Sequence, residues 1–155
     1  MLILLPMGTE IIKYDKDSTL PSGIAEQIIQ IFRENYPESH IQENRERDLA
    51  ERANQAALDI LLSEGRVIFI AHDIHEKVLG LLEMREIDQG EGVYMQVVWI
   101  IVDALARGQG IASQLHEAFK AEARKRASRI SKPSCRLLAV HPENPAKAVY
   151  ERWGY

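Results

Sequence analysis

Six residues, Arg107-Gly108-Gln109-Gly110-Ile111-Ala112, constrain this chain more tightly than any other stretch. The apolar run Val97-Val98-Trp99-Ile100-Ile101-Val102 comes just before them, and an amphipathic segment from Ile111 to Ala127 comes just after. The pattern predicts a strand that runs into a glycine turn, with the turn opening a helix. The first N–H groups of a helix lack partners and lie at the positive end of its dipole. Glycine has no Cβ, so a bulky anion can reach the main chain there. A phosphate-bearing ligand is the expected occupant.

At 155 residues the chain is read as one domain, residues 1–155, long enough to bury a real core. Acidic residues outnumber basic ones by 23 to 19, which argues against bulk nucleic-acid binding. Cys135 is the only cysteine, so a disulfide framework within the chain is excluded and a reducing, cytoplasmic setting is expected. The start, Met1-Leu2-Ile3-Leu4-Leu5-Pro6, lacks the basic region of a signal peptide. No stretch approaches the roughly 20 apolar residues of a membrane span, so no membrane partner is expected.

Periodicity supplies the order of elements. A short strand is expected from Glu10 to Tyr14. A helix follows, with Ile24, Ile28, Ile31 and Phe32 on one stripe and Pro37 as its stop. Ser39 and Gln42 have capping-box spacing for a second helix that runs to Gly65. Strands are expected over Val67–Ala71, Val78–Ile87, Tyr94–Val102 and Cys135–Val140. Asp73–Lys77 and Asp88–Gly92 read as turns between them. Ile111, Leu115, Phe119 and Ala123 form the stripe of the third helix, and Pro145–Trp153 reads as a last one. The order is β-α-α-β-β-β-α-β-α. It predicts an α/β fold with a mixed, mostly antiparallel central sheet and helices on both faces. The strand ending at Val102 is apolar on both faces from Val97 onward, which places it inside a covered sheet.

A nucleotide-binding P-loop would need Gly-Lys-Ser/Thr, and Gly110 is followed by Ile111 and Ala112. A dinucleotide fingerprint would need a third glycine or alanine where Ser113 stands, in the first βα turn of a parallel sheet. Arg107-x-x-Gly110-x-Ala112 instead resembles the Gln/Arg-x-x-Gly-x-Gly/Ala motif of the GNAT N-acetyltransferase superfamily. Downstream, Asn144-Pro145-Ala146-Lys147-Ala148-Val149-Tyr150-Glu151-Arg152-Trp153-Gly154-Tyr155 resembles that family's asparagine, alanine, tyrosine and Gly-Phe pattern. In many relatives the asparagine stands one residue earlier, where this chain has Glu143, and Tyr155 replaces the usual phenylalanine. Relatives also continue past this point into strands that pair with the strand before the last helix. The expectation is that the natural chain extends further, or that a homodimer partner covers that edge.

The resemblance implies acetyl-CoA as donor, with no metal. Its pyrophosphate would lie on the N–H groups of Gly108, Gln109, Gly110, Ile111 and Ala112, with Arg107 as charged partner and Asn144 contributing from downstream. Ile100, Ile101 and Val102 would offer main-chain groups to the amide-rich arm, and the next strand would splay away to admit it. An amine would attack the thioester directly, through a tetrahedral intermediate. A backbone N–H near Ile100 would face the oxyanion. Tyr150 would donate a proton to the leaving thiolate, since a phenol of pKa about 10 can protonate a thiolate whose acid lies near 8.5. Glu83, within an apolar strand beside the active one, is the candidate base, and His141 is a looser one. The bland reading of Glu83 is a residue on a solvated face, and that of Tyr150 is a packed aromatic.

Other features read as structural. His72-x-x-His75 falls in a tight turn and lacks further ligands. The basic cluster Arg124-Lys125-Arg126 suits a helix C-terminus, although a contact with the coenzyme's 3′-phosphate is a sharper option. Glu43–Arg52 reads as an exposed, charge-laced helix face of the kind that in the family borders the acceptor pocket. Cys135 reads as a packed strand residue. The expected function is acetyl transfer from acetyl-CoA to an amine, either a small molecule or a protein amine. The alternatives are a non-catalytic acyl-CoA sensor of the same fold and a nucleotide-binding redox domain.

Overall fold

The computed structural model describes residues 8–36, 42–138 and 147–155. Its elements are β1 (Glu10–Tyr14), α1 (Ser22–Glu34), α2 (Gln42–Ala50), α3 (Gln55–Ser63), β2 (Val67–His72), β3 (Val78–Asp88), β4 (Val93–Val102), α4 (Ile111–Ala127), β5 (Ser134–Leu138) and α5 (Lys147–Arg152). The strands form one sheet in the order β1-β2-β3-β4-β5. The first three pairings are antiparallel, and β4 with β5 is parallel. The expected mixed sheet is present, and the sheet is open rather than closed.

The sheet sorts its side chains by strand alternation. In β2, Ile68 and Ile70 enter one core with Ala25, Ile28 and Phe32 of α1 and Leu58, Leu61 and Leu62 of α3. Val67, Phe69 and Ala71 enter the other core with Ile111, Leu115, Phe119 and Ala123 of α4. Every residue of β2 is buried, because helices cover both of its faces.

One expected helix is two. The segment through Gly65 breaks between Ala50 and Gln55. Asn54 takes an extended conformation and its side chain accepts from Ala57 N–H at 2.9 Å, capping a fresh start for α3. Ser39, the expected cap of the earlier start, lies outside the described residues, as do the last two residues of the strand expected to end at Val140.

Gly80 sets how closely α4 approaches the sheet. A Cβ there would sit 2.9 Å from the Ile101 carbonyl oxygen and 3.2 Å from Ile111 Cγ2. The bare glycine lets the first turn of α4 rest on β3 beside the end of β4, and that fixes the glycine turn in space.

Candidate active site

β4 leads through a short 3-10 turn, Ala104–Ala106, into the glycine turn. Gly108 and Gly110 have φ of +78° and +79°, the left-handed region that glycine enters without strain. Gly110 caps α4 with backbone alone. Among the described residues no protein acceptor takes the N–H groups of Gly108, Gln109, Gly110, Ile111 or Ala112; the first backbone bond of the helix runs from Gln114 N–H to the Gly110 carbonyl. A row of open donors stands at a helix start, as an anion site needs.

The neighbouring strand is interrupted at the same level. Glu83 pairs with Trp99 and Met84 with Val97, so Val98 bulges out of the β3–β4 ladder. The parallel pairing of β4 with β5 extends from Val93–Ser134 to Val97–Leu138. Among the described residues, the β5-facing side of β4 from Val98 to Val102 carries no strand. Ile100, Ile101 and Val102 form the end of β4 that leads into the glycine turn.

Arg107, the expected charged partner, makes two hydrogen bonds within the chain. Its Nε donates to the Val102 carbonyl at 3.1 Å, and its Nη2 donates to Asn35 Oδ1 at 2.8 Å, at the end of α1. The guanidinium thus spans the end of β4 and the end of α1.

Glu83 lies in a setting that neither sequence reading anticipated. It is 2% exposed, which overturns the solvated-face reading. Its Oε2 accepts from Arg52 Nε at 2.9 Å, and its Oε1 accepts from Arg52 Nη2 at 2.8 Å and from Arg66 Nη1. Arg52 itself is buried, which corrects its placement on an exposed charged face; its Nη1 donates to the Asp48 carbonyl at 2.9 Å. Burial alone would push the Arg52 guanidinium down, but the Glu83 carboxylate outweighs it and holds the charge in place. The Arg52 guanidinium also lies 4.8 Å from the Phe32 ring centre.

Around this cluster stands an aromatic wall that sequence reasoning missed. Trp99 meets Phe32 edge-on at 4.9 Å and Tyr36 at 5.4 Å. The Tyr36 hydroxyl donates to Asp48 Oδ2 at 2.7 Å, and burial, then that carboxylate, push the phenol well above its ordinary value. Tyr36 precedes Pro37, and Trp99 sits in the apolar run. Both were in plain view as isolated aromatics, with nothing in their spacing to say that they meet.

Tyr150 lies on α5, half-buried, its ring 5.7 Å from that of Trp153. Burial raises its phenol above the ordinary 10. Trp153 stacks on His116 of α4 at 4.2 Å, and His116 Nε2 lies 2.9 Å from the Tyr155 hydroxyl. The C-terminal segment is thus docked on α4, the helix that the glycine turn opens. Asn144 and His141 lie outside the described residues.

That docking carries a pH dependence. Burial, then Lys120 and Arg136, lower the His116 pKa from 6.5 to about 4. A histidine depressed in the folded state contributes stability above its unfolded pKa and loses it as pH falls toward the folded one. Between pH 6.5 and about 4 the protein should therefore lose stability. The His116→Phe variant, which keeps a stacking ring, should lose less over the same range in denaturant titrations. Parallel curves would show that His116 does not titrate on unfolding.

The remaining sites resolve simply. Asp73 Oδ1 accepts from His75 N–H at 2.8 Å and Lys77 N–H at 2.9 Å, so the segment between His72 and Lys77 is organised as a turn around that carboxylate. Among the described residues no three His, Cys, Asp or Glu side chains converge as a metal site. Cys135 is exposed on β5, contrary to its expected packing. Arg126 pairs with Glu122 and Glu86. Among the described residues no helix is long and apolar enough to cross a membrane.

The profile of the acetyltransferase (GNAT) family matches residues 25–155, and this chain belongs to that family. A Pyrococcus furiosus protein assigned as an acetyl transferase is similar at 25% identity, over 94% of this chain and 93% of that one, with a TM-score of 0.65. The aminoglycoside acetyltransferase meta-AAC0020, from an uncultured soil metagenomic sample, shares the fold at 15% identity and TM-score 0.67, over 94% and 86% of the two chains. AAC(6')-Iy, in complex with the bisubstrate analogue CoA-S-monomethyl-acetylneamine, does so at 18% identity and TM-score 0.61, over 95% and 90%. No curated protein matches the chain.

Proposed function

We propose that this chain transfers an acetyl group from acetyl-CoA to a primary amine. One observation carries the reading: the N–H groups of residues 108–112, which no acceptor among the described residues takes, stand next to the end of β4 at residues 100–102. The first feature suits a pyrophosphate, and the second suits a chain of amides needing a strand to pair with. The family and fold support acyl transfer, and a structural neighbour bound to a CoA analogue supports the donor.

Acetyl-CoA supplies the thioester carbonyl that the amine attacks. The chain's own contribution would begin just past the bulge, where a β4 N–H near Ile100 would face the oxygen that gains charge. Tyr150 keeps its proton until the sulfur leaves, and then donates it. Glu83 is better suited to position than to abstract, because both its oxygens already accept from guanidinium groups. The Glu83–Arg52 pair would hold Asp48, Tyr36 and Trp99 on the face of the sheet where α1 and α2 border the acceptor. The named neighbours make a small polyamino compound a reasonable first acceptor.

The engaged state of Glu83 also favours a second reading, a non-catalytic acyl-CoA sensor with this fold. Thermal shift decides the donor. Acetyl-CoA at a hundredfold over its Kd should add about 2.7 kcal/mol, or roughly 5–10 °C at this size, whereas NAD should add nothing. Stabilisation by NAD alone would overturn the proposal. Thiol release with a panel of amines then separates enzyme from sensor, and tight binding without turnover selects the sensor.

A further inference from the structure

Two routes lead from the glycine turn to a single indole. Arg107 Nε holds the Val102 carbonyl, three residues along β4 from Trp99. Arg107 Nη2 holds Asn35 Oδ1. Asn35 closes α1, and its own Nδ2 donates back to the Ile31 carbonyl at 2.9 Å, which fixes the amide with its oxygen turned to Arg107. The next residue is Tyr36, whose ring leans on Trp99 and whose hydroxyl is tied to Asp48. Arg52 joins the Asp48 carbonyl to Glu83, which stands opposite Trp99 in the β3–β4 register. The chain of contacts closes a loop around Trp99.

The weak members of this loop are the two at Arg107. Both acceptors are neutral carbonyl oxygens, and the guanidinium is exposed. A phosphate offers a guanidinium opposite charge and a bidentate pair of oxygens, where each carbonyl offers one neutral oxygen. A diphosphate settling on the amides of residues 108–112 would arrive within the same six-residue turn and compete for that guanidinium.

We propose that Arg107 and Asn35 are a positioning pair: their bridge holds the end of α1 to β4, and a diphosphate bound at residues 108–112 competes for Arg107 and releases it, resetting Tyr36 and Trp99 on the acceptor side. The inference rests on the acetyl-CoA reading above and adds to it a link between the two substrate sites. Such a link is a coupling free energy between them and acts in both directions. It also has a sign. Asn35→Asp gives Arg107 a charged acceptor that competes better with the diphosphate. Asn35→Ala removes the acceptor altogether.

Fluorotryptophan labelling gives two fluorine resonances, Trp99 and Trp153, separated by the W153F variant. Coenzyme A itself is the probe, titrated by calorimetry and by fluorine NMR on the full chain. In the wild type, coenzyme A should move the Trp99 resonance. In Asn35→Ala that resonance should already stand near its coenzyme-bound position and move little. In Asn35→Asp the Kd for coenzyme A should rise about fivefold. If coenzyme A binds and Trp99 moves alike in the wild type and Asn35→Ala, the coupling is overturned while the donor reading stands. If no heat of binding is found, both fall together.

Discussion

Replacing Glu83 with alanine is expected to destabilise the fold by about 3–5 kcal/mol. The side chain is 3% exposed and its two oxygens accept three hydrogen bonds from two arginines. Removing it leaves the Arg52 guanidinium, itself 2% exposed, beside Arg66 with only the more exposed Glu51 carboxylate, 3.3 Å from Arg52 Nη1, as a charged partner. Stranding a buried charge is far costlier than losing a surface ion pair, which is worth about 0–1 kcal/mol. Urea unfolding followed by circular dichroism checks this, and a loss below about 1 kcal/mol would mean that water reaches the cluster. Glu83→Gln keeps the shape and addresses chemistry. A general base gives kcat/KM an ascending limb with pH. If Glu83 only positions, Glu83→Gln should raise the KM for the amine and leave that limb where it was. Disappearance of the limb would restore Glu83 as the base.

The same residue shows where sequence reading reaches its limit. Alternation along β3 could say that Glu83 lies in a strand, but not which helix packs over it. Arg52 stands 31 positions away in a stretch that looks like a solvated charged helix. Its burial depends on Asn54 breaking that helix and turning the chain back over the sheet. By contrast, the glycine turn was legible because its whole device is local: a strand, two glycines with positive φ, and a helix start, all in consecutive residues. The bulge at Val98 was invisible for the opposite reason. A bulge is a property of two strands in register, and the apolar run from Val97 to Val102 reads the same with or without it. The aromatic wall of Phe32, Tyr36 and Trp99 is likewise an encounter between α1 and β4 that no spacing encodes.

Tyr150→Phe tests the chemical step itself and should lower kcat for thiol release by about a hundredfold, at the low end of what a positioned general acid contributes. The reason for the low end is a mismatch. An ordinary phenol at about 10 already gives up its proton uphill to a thiolate whose acid lies near 8.5. Burial raises Tyr150 further. A leaving sulfur held away from water would narrow the mismatch, because burial raises a thiol's pKa in the same direction. The phenylalanine ring retains the contact with Trp153, so folding stability and the calorimetric Kd for acetyl-CoA should stay at wild-type values. The loss should therefore appear in kcat with little change in the acetyl-CoA KM, the pattern of an interaction made only as the sulfur departs. A kcat within twofold of wild type would reduce Tyr150 to a packing residue on α5, and the leaving thiolate would have to take its proton from water.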